Sequence, residues 1–216
     1  MKINFLGDSI TEGALAGFIE KRYTTLVAEA FGAEECNFGV SGTRIAKQVK
    51  KTNNPDQDVF MCRAVKMDCK ADFTFVFGGT NDYGHGDAKM GTMESRDPYT
   101  FYGAMHGLVS YLVSKFDLAK LCFIMPIPRY NQDCLYGDGS KDEAAYPLSA
   151  YIEAEKDVLD YYGVEYLDLS DKFYVPTTCE NDGDLFADGL HPNESGHSFL
   201  AACLIEYLRE KITEQR

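Results

Sequence analysis

A serine lies just beyond the first short apolar run of the chain, at a place where its hydroxyl group can act as a nucleophile. The run covers residues 3–6, and Gly7-Asp8-Ser9-Ile10-Thr11 comes next, with Gly7 expected to permit a sharp turn. Taken alone, a serine in this position is more often a turn or helix-capping residue. Because a serine hydroxyl must lose its proton as it attacks, a catalytic Ser9 requires an imidazole nearby.

Of the four histidines in the chain, His191 has the surroundings that best fit such a base. It belongs to Asp188-Gly189-Leu190-His191-Pro192-Asn193, a turn-rich segment that precedes the last helical pattern. A short turn can bring the Asp188 carboxylate to one ring nitrogen and leave the other facing Ser9, the arrangement that orients a catalytic imidazole. In isolation, a capping role for Asp188 and a surface position for His191 explain the same residues.

Two further loops offer hydrogen-bond donors for the oxyanion that forms when a serine attacks a carbonyl group. Residues 37–42 include the end of the second apolar run, and Gly42 can present a backbone N–H with no side chain in the way. Residues 78–82 follow the third run, and Asn81 can present its side-chain amide. Each loop alone is typical of an ordinary turn, so the prediction requires these segments to meet in space.

The elements that must position these residues alternate between strand and helix patterns. Strands are predicted at residues 3–6, 36–40, 73–77, 121–127 and 164–167, and helices at about 17–30, 56–69, 98–117, 143–162 and 194–213. This β-α order predicts an α/β fold with a mostly parallel five-stranded sheet, helices on both faces, and one domain over residues 1–216. In such sheets ligands bind outside the carboxyl ends of the strands, where the predicted loops 78–97 and 128–142 begin.

The segments that carry these candidate residues form four short motifs along the chain. They are GDSIT at residues 7–11, the Ser-Gly pair that ends NFGVSG at 37–42, GGTND at 78–82 and DGLHPN at 188–193. In this order they resemble the conserved blocks of the SGNH hydrolases, also called the GDSL family of lipases and esterases, over nearly the whole chain. Ile10-Thr11 replaces the Leu-Ser of the name motif, a change that leaves the chemistry intact.

The resemblance implies a flavodoxin-like three-layer α/β/α sandwich and a role for each matched residue. Ser9 is implied as the nucleophile, His191 as the base and then the acid, and Asp188 as the residue that orients His191. Gly42 and Asn81, together with the backbone N–H of Ser9, are implied as the oxyanion donors. The expected reaction is a two-step acyl transfer through an acyl-enzyme on Ser9, for which no cofactor is needed.

The polar loops beside these motifs favour a small polar ester, first of all a short-chain, acetyl ester on a carbohydrate. Asp8, Tyr83, His85 and Arg129 are candidate substrate-binding residues, whereas His197 on the final helix is expected to be structural. The alternatives within the family are a lysophospholipase or thioesterase and an acyltransferase. From another class, a non-catalytic flavodoxin-like module for a nucleotide or flavin remains open.

Charge and composition argue against several partners. The formal net charge of −13, from 34 acidic and 21 basic side chains, opposes binding to nucleic acid or to an anionic membrane surface. Neither a membrane span nor a signal peptide is expected from the apolar runs, and seven widely spaced cysteines favour a reducing, cytoplasmic location. His85 and Asp87 are close in sequence, but no other residue joins them and no metal is expected.

Overall fold

A computed structural model describes residues 1–50, 58–181 and 183–214 of the chain. Within these ranges five parallel strands form one sheet in the order β2-β1-β3-β4-β5. The strands are β1 (Lys2–Gly7), β2 (Glu34–Gly39), β3 (Phe73–Phe77), β4 (Leu121–Ile124) and β5 (Glu165–Leu167). The strand order reverses between β1 and β3, which is the switch point where doubly wound folds bind ligands. The predicted five-stranded parallel sheet is therefore confirmed.

Helices connect the strands and cover the sheet on both faces. In the described ranges the α-helices are α1 (Ser9–Glu12), α2 (Tyr23–Ala30), α3 (Phe60–Ala64), α4 (Thr80–His85), α5 (Phe101–Lys115), α6 (Leu148–Tyr162) and α7 (Glu194–Glu214). Two short 3-10 helices cover Ile19–Lys21 and Leu118–Lys120. No helix among these has an apolar stretch of the length and hydropathy needed to cross a membrane.

The side chains of β3 divide the interior into two hydrophobic cores. Phe73, Phe75 and Phe77 belong to the core that the sheet shares with α2 and α7. Val76 belongs to the core on the opposite face, which includes buried residues of α3, α5 and α6. Because β3 is covered on both faces, all five of its residues are buried, which explains its nearly continuous apolar sequence. The layers are those of the predicted α/β/α sandwich.

The observed elements differ from the predicted ones mainly near the carboxyl edge of the sheet. The predicted loop 78–97 contains α4, because Gly79 adopts a left-handed conformation (φ 96°) and a helix begins immediately after it. β4 ends at Ile124 rather than at residue 127, and Pro126 cannot donate a ladder hydrogen bond there. The predicted helix 56–69 is represented by α3, and its residues 56 and 57 lie outside the described residues.

Gly39 ends β2 at a point where the strand passes very close to α1. A Cβ atom on Gly39 would lie 2.2 Å from Glu12 N and 2.6 Å from the Thr11 carbonyl carbon, and these backbone atoms cannot rotate away. We therefore expect Gly39→Ala to lower the free energy of unfolding by about 1–3 kcal/mol, as overpacking does. Urea denaturation of the two proteins measures the difference.

Gly107→Ala is the matched control for this substitution. Gly107 is exposed within α5, and a Cβ atom there would meet no atom within 4 Å. The control is expected to raise the free energy of unfolding by about 0.5–1 kcal/mol, because alanine is the better helix former. A Gly39→Ala protein that is as stable as the wild type would contradict the close approach of β2 and α1.

Candidate active site

Ser9, His191 and Asp188 form a chain of hydrogen bonds at the carboxyl edge of the sheet. Ser9 Oγ lies 2.9 Å from His191 Nε2, and His191 Nδ1 lies 2.7 Å from Asp188 Oδ2. The Asp188 carboxylate can only accept, so the ring hydrogen is on Nδ1 and Nε2 accepts from the Ser9 hydroxyl. Ser9 and His191 are 182 positions apart in sequence, so tertiary structure alone brings them together.

Ser9 is the first residue of α1, which begins directly beyond the end of β1. The Asp8 side chain caps this helix, because its Oδ1 accepts a hydrogen bond from Ile10 N at 3.0 Å. Gly7 is not among the glycines with positive φ. A Cβ atom on Gly7 would instead lie 1.9 Å from Thr11 Oγ1 and 2.8 Å from the Phe77 carbonyl oxygen. Glycine is thus required at position 7 for space, where the chain turns from β1 into α1, and not for a left-handed backbone conformation.

A short turn holds Asp188 against His191. Asp188 Oδ1 accepts from the backbone N–H groups of Leu190 and His191 at 3.0 and 2.7 Å, and Gly189, which follows Asp188, adopts φ 75°. Partial burial raises the pKa of the Asp188 carboxyl, but the hydrogen bonds from the His191 ring and from the two backbone amides outweigh it and lower that pKa to about 2. Asp188 therefore remains ionised near neutral pH, as an orienting carboxylate must.

Gly42 lies in the loop that follows β2, and Asn81 lies in the first turn of α4, which follows β3. Gly42 adopts φ 73°, a conformation that favours glycine, and its N–H has no acceptor in the part of the chain that the structure describes. Asn81 Nδ2 donates one hydrogen to the Thr43 carbonyl oxygen at 3.0 Å. Its second N–H is left to serve another acceptor. The two predicted oxyanion donors are therefore held together through Thr43, next to Gly42.

The loop that contains Gly42 is also fixed by two carboxylates to which the sequence analysis assigned no role. The Asp82 oxygens accept from Ile45 N at 2.8 Å and Ala46 N at 2.9 Å. Burial raises the pKa of Asp82 to about 7, although the two amides favour its ionised form. On the other side, Glu12 of α1 accepts from Ser41 N at 2.8 Å. The only signal in the sequence is that Asp82 directly follows Asn81.

Three of the four candidate substrate-binding residues are buried, and each makes contacts within the protein. Tyr83 is fully buried and its hydroxyl donates to the Asn131 carbonyl oxygen. Arg129 lies over the Tyr83 ring and donates to the Thr80 carbonyl oxygen at 3.1 Å. Asp8 is buried as the cap of α1. These contacts make the three residues supports of the surrounding loops, and direct substrate contact by them stays only a prediction.

His85, the fourth candidate, borders a cavity of about 910 Å³. Its ring nitrogens lie 3.3 Å from Asp138 Oδ2 and 3.4 Å from the Gly42 carbonyl oxygen, so it stands between the cavity and the Gly42 loop. Burial lowers the pKa of His85, which favours the neutral ring. Arg44, Lys50, Lys141, Asp142, Tyr146 and Tyr151 are among the other residues that line the cavity. Ser9, Asn81 and His191 do not line it.

His197 occupies the structural position expected of it. Its ring is fully buried and stacks on Tyr23 with an interplanar angle of 8°. Nδ1 accepts from Tyr23 N at 3.3 Å, so the ring hydrogen is on Nε2, which lies 3.4 Å from the Ala14 carbonyl oxygen. Burial lowers the pKa of His197 to about 4, so the ring is neutral near pH 7.

The described residues include no group of three or more His, Cys, Asp or Glu side chains placed to hold a metal ion. Asp87, considered with His85 in this respect, instead accepts from Val49 N and Lys50 N at 2.7 Å each.

The chain is similar in sequence and in fold to known proteins. A model of the GDSL-like lipase/acylhydrolase family matches residues 5–199. A protein from Lactobacillus plantarum is 29% identical, with a TM-score of 0.80 over 97% of this chain and 96% of that chain. A carbohydrate acetylesterase from Sinorhizobium meliloti is 17% identical, with a TM-score of 0.67 over 97% and 98% of the two chains.

A lipase/acylhydrolase from Enterococcus faecalis has a TM-score of 0.60 at 20% identity, over 97% of this chain and 96% of that chain. At 17 and 20% identity, this structure and the acetylesterase establish similarity of fold alone. No curated protein sequence matches the chain.

Asp8 makes the stability of the folded protein depend on pH. Burial raises its folded-state pKa from 3.8 to about 6. Between these two pH values Asp8 is protonated in the folded protein and ionised in the unfolded chain. This contribution to stability is complete below pH 4 and is lost as the pH rises through 6. Relative to Asp8→Asn, which keeps the oxygen that caps α1, the wild type should lose about 3 kcal/mol of unfolding free energy over this interval.

Urea denaturation of both proteins at several pH values between 3.5 and 7 measures the difference. Other titrating groups, including Asp82, are present in both proteins and cancel in the comparison. Parallel stability curves for wild type and Asp8→Asn would contradict the raised pKa of Asp8.

Proposed function

The chain belongs to the GDSL-like lipase/acylhydrolase family, and on this premise we propose that it is a serine esterase that hydrolyses short-chain esters. The observation that carries the proposal is the hydrogen-bonded chain from Ser9 Oγ through the His191 ring to Asp188, with distances of 2.9 and 2.7 Å. A serine becomes a nucleophile when an oriented imidazole can take its proton. The geometry of these three residues meets that requirement.

In the proposed first step, Ser9 Oγ attacks the ester carbonyl carbon as its proton passes to His191 Nε2. The oxyanion that forms accepts from the N–H groups of Ser9 and Gly42 and from the free N–H of Asn81. When the carbon–oxygen bond of the leaving group breaks, His191 gives its proton to the departing alcohol. Asp188 stays ionised and stabilises the imidazolium between these events.

In the second step, His191 takes a proton from water as the water oxygen attacks the acyl-enzyme. The bond between the acyl carbon and Ser9 Oγ breaks, and His191 returns the proton to Ser9. The products are a carboxylic acid and an alcohol, so the sequence of steps balances without a cofactor.

For the substrate, we propose an acetyl or similarly short ester of a polar alcohol, with a carbohydrate as the first choice. The support is the cavity beyond His85, whose lining includes Lys141, the ion pair of Lys50 with Asp142, and Arg44, which pairs with Asp58. A long acyl chain would separate such groups from water without hydrogen bonding to them, whereas sugar hydroxyls can bond to them. The activity described for the Sinorhizobium meliloti structure, carbohydrate acetyl ester cleavage, agrees with this choice.

The nucleophile is tested by labelling with a fluorophosphonate and by hydrolysis of p-nitrophenyl acetate. Ser9→Ala should abolish labelling, and Ser9→Ala or His191→Ala should each lower kcat by at least about 10³-fold. The double variant should be little worse than either single variant, because the two residues act as one unit. Ser114→Ala, which changes an exposed serine on α5, is the control and should keep full activity. A Ser9→Ala protein that is still labelled and active would contradict the assignment of Ser9 as the nucleophile.

The substrate class is tested by two comparisons of kcat/KM. Activity on p-nitrophenyl esters should fall as the acyl chain lengthens from acetate to octanoate, whereas a rise would favour a lysophospholipase or thioesterase. Tyr146→Ala should raise KM for an acetylated sugar about three- to tenfold and leave p-nitrophenyl acetate unaffected, because Tyr146 exposes an aromatic face within the cavity. Tyr161→Ala, on exposed α6 surface, is the control. Equal effects on both substrates would contradict sugar binding there.

A further inference from the structure

Arg63 is a buried cation that takes no part in the proposed reaction steps. It lies on α3 with 4% of its surface exposed, behind the ends of β1 and β2. Its Nη1 donates to the Gly7 carbonyl oxygen at 2.5 Å and also to the Phe38 carbonyl oxygen. Its Nη2 donates to Thr43 Oγ1 at 2.7 Å. One guanidinium thus joins the strand that leads to Ser9, the strand that leads to Gly42, and the Gly42 loop itself.

Thr43 uses both its hydroxyl and its backbone at this junction. While Oγ1 accepts from Arg63, the hydroxyl hydrogen is donated to the Val40 carbonyl oxygen at 2.6 Å, which closes the turn that contains Gly42. The Thr43 carbonyl oxygen accepts from Asn81 Nδ2 at 3.0 Å. Thr43 therefore positions both proposed oxyanion donors. The turn that it closes positions Gly42, and the hydrogen bond to its carbonyl oxygen positions the Asn81 amide.

We propose that Arg63 is a positioning residue for the oxyanion hole, acting through Thr43 to set the Gly42 and Asn81 donors at the correct distance from Ser9. This inference rests on the proposed esterase function. A planar guanidinium suits the task, because its N–H groups point in fixed directions from separate nitrogens, whereas the donors of lysine all leave one nitrogen at the end of a flexible chain. Burial lowers the pKa of Arg63 to about 10, so the group still carries its charge near neutral pH.

The decisive variant is Thr43→Val, because it removes the hydroxyl and retains the side-chain shape and the contacts of Arg63 with Gly7 and Phe38. We expect kcat for p-nitrophenyl acetate to fall about ten- to a hundredfold with KM unchanged. Displaced donors would stabilise the oxyanion-like transition state less well, whereas binding of the ester would be intact. Thr43→Ser, which keeps the hydroxyl, should restore most of kcat. Thr213→Val, an exposed position on α7, is the control and should keep full activity.

A double-mutant cycle tests whether Arg63 acts through Thr43. Arg63→Lys alone should lower kcat to a similar extent, and combining it with Thr43→Val should add little. Thermal denaturation of each variant separates this effect from loss of folding, because a merely structural role would lower Tm with kcat of the folded fraction unchanged. If Arg63→Lys fails to fold, Thr43→Val and its rescue by Thr43→Ser decide the matter.

Two results would overturn the inference. One is a Thr43→Val protein with kcat within twofold of the wild type, and the other is full additivity of the two substitutions. Ser9→Ala in the same assay distinguishes this failure from failure of the proposed function. If the wild type is active and Ser9→Ala is inactive, the function stands and only the role of Arg63 is lost. If Ser9→Ala retains wild-type activity, or the wild type neither hydrolyses the ester nor labels, both proposals fail.

Discussion

The pairing of β1 with β2 on one side and β3 on the other is the constraint on which the candidate site depends. Gly7 at the end of β1 is in register with both Gly39 and Phe77, so three strands end at the same level of the sheet. Ser9, Gly42 and Asn81 all follow within a few residues of those ends. Because parallel strands point their carboxyl ends the same way, the nucleophile and both oxyanion donors share one edge, and only the loop containing His191 must come from elsewhere.

Ionisable groups are buried behind this edge, and their burial is unfavourable by itself. It raises the pKa of Asp8, Asp82 and Glu155 and lowers the pKa of Arg63 and Arg129. Many of their partners are backbone groups of the strand ends and loops: Asp82 accepts from two amides, and Arg63 donates to two carbonyl oxygens as well as to the Thr43 hydroxyl. The buried charged groups thus form hydrogen bonds with loop backbone that lies outside the hydrogen-bonded strands of the sheet. Hydrophobic packing alone could not specify these loops, because it is not directional.

Much of the fold and part of the site could be predicted from sequence. β3 was predicted with its observed boundaries because a strand buried on both faces must be apolar at nearly every position, and α7 shows a clear helical period. The predicted membership of the hydrolase family is confirmed. α4 was missed, since a six-residue helix rich in Gly and Asp has the composition of a loop. Arg63 and Thr43 carry no motif, and their importance follows only from what they contact.

By itself the sequence determined the order of elements, the two-sided burial of the sheet and the residue types available at each strand end, because these follow from local pattern and motif spacing. Only the tertiary structure decided that Ser9 meets His191 across 182 positions, that Gly7 is required for space, and that Tyr83 and Arg129 are buried supports. The physical reason is that distances between loops depend on how separate strands, helices and buried charges pack against one another. That packing is a property of the whole chain and is not contained in any single segment.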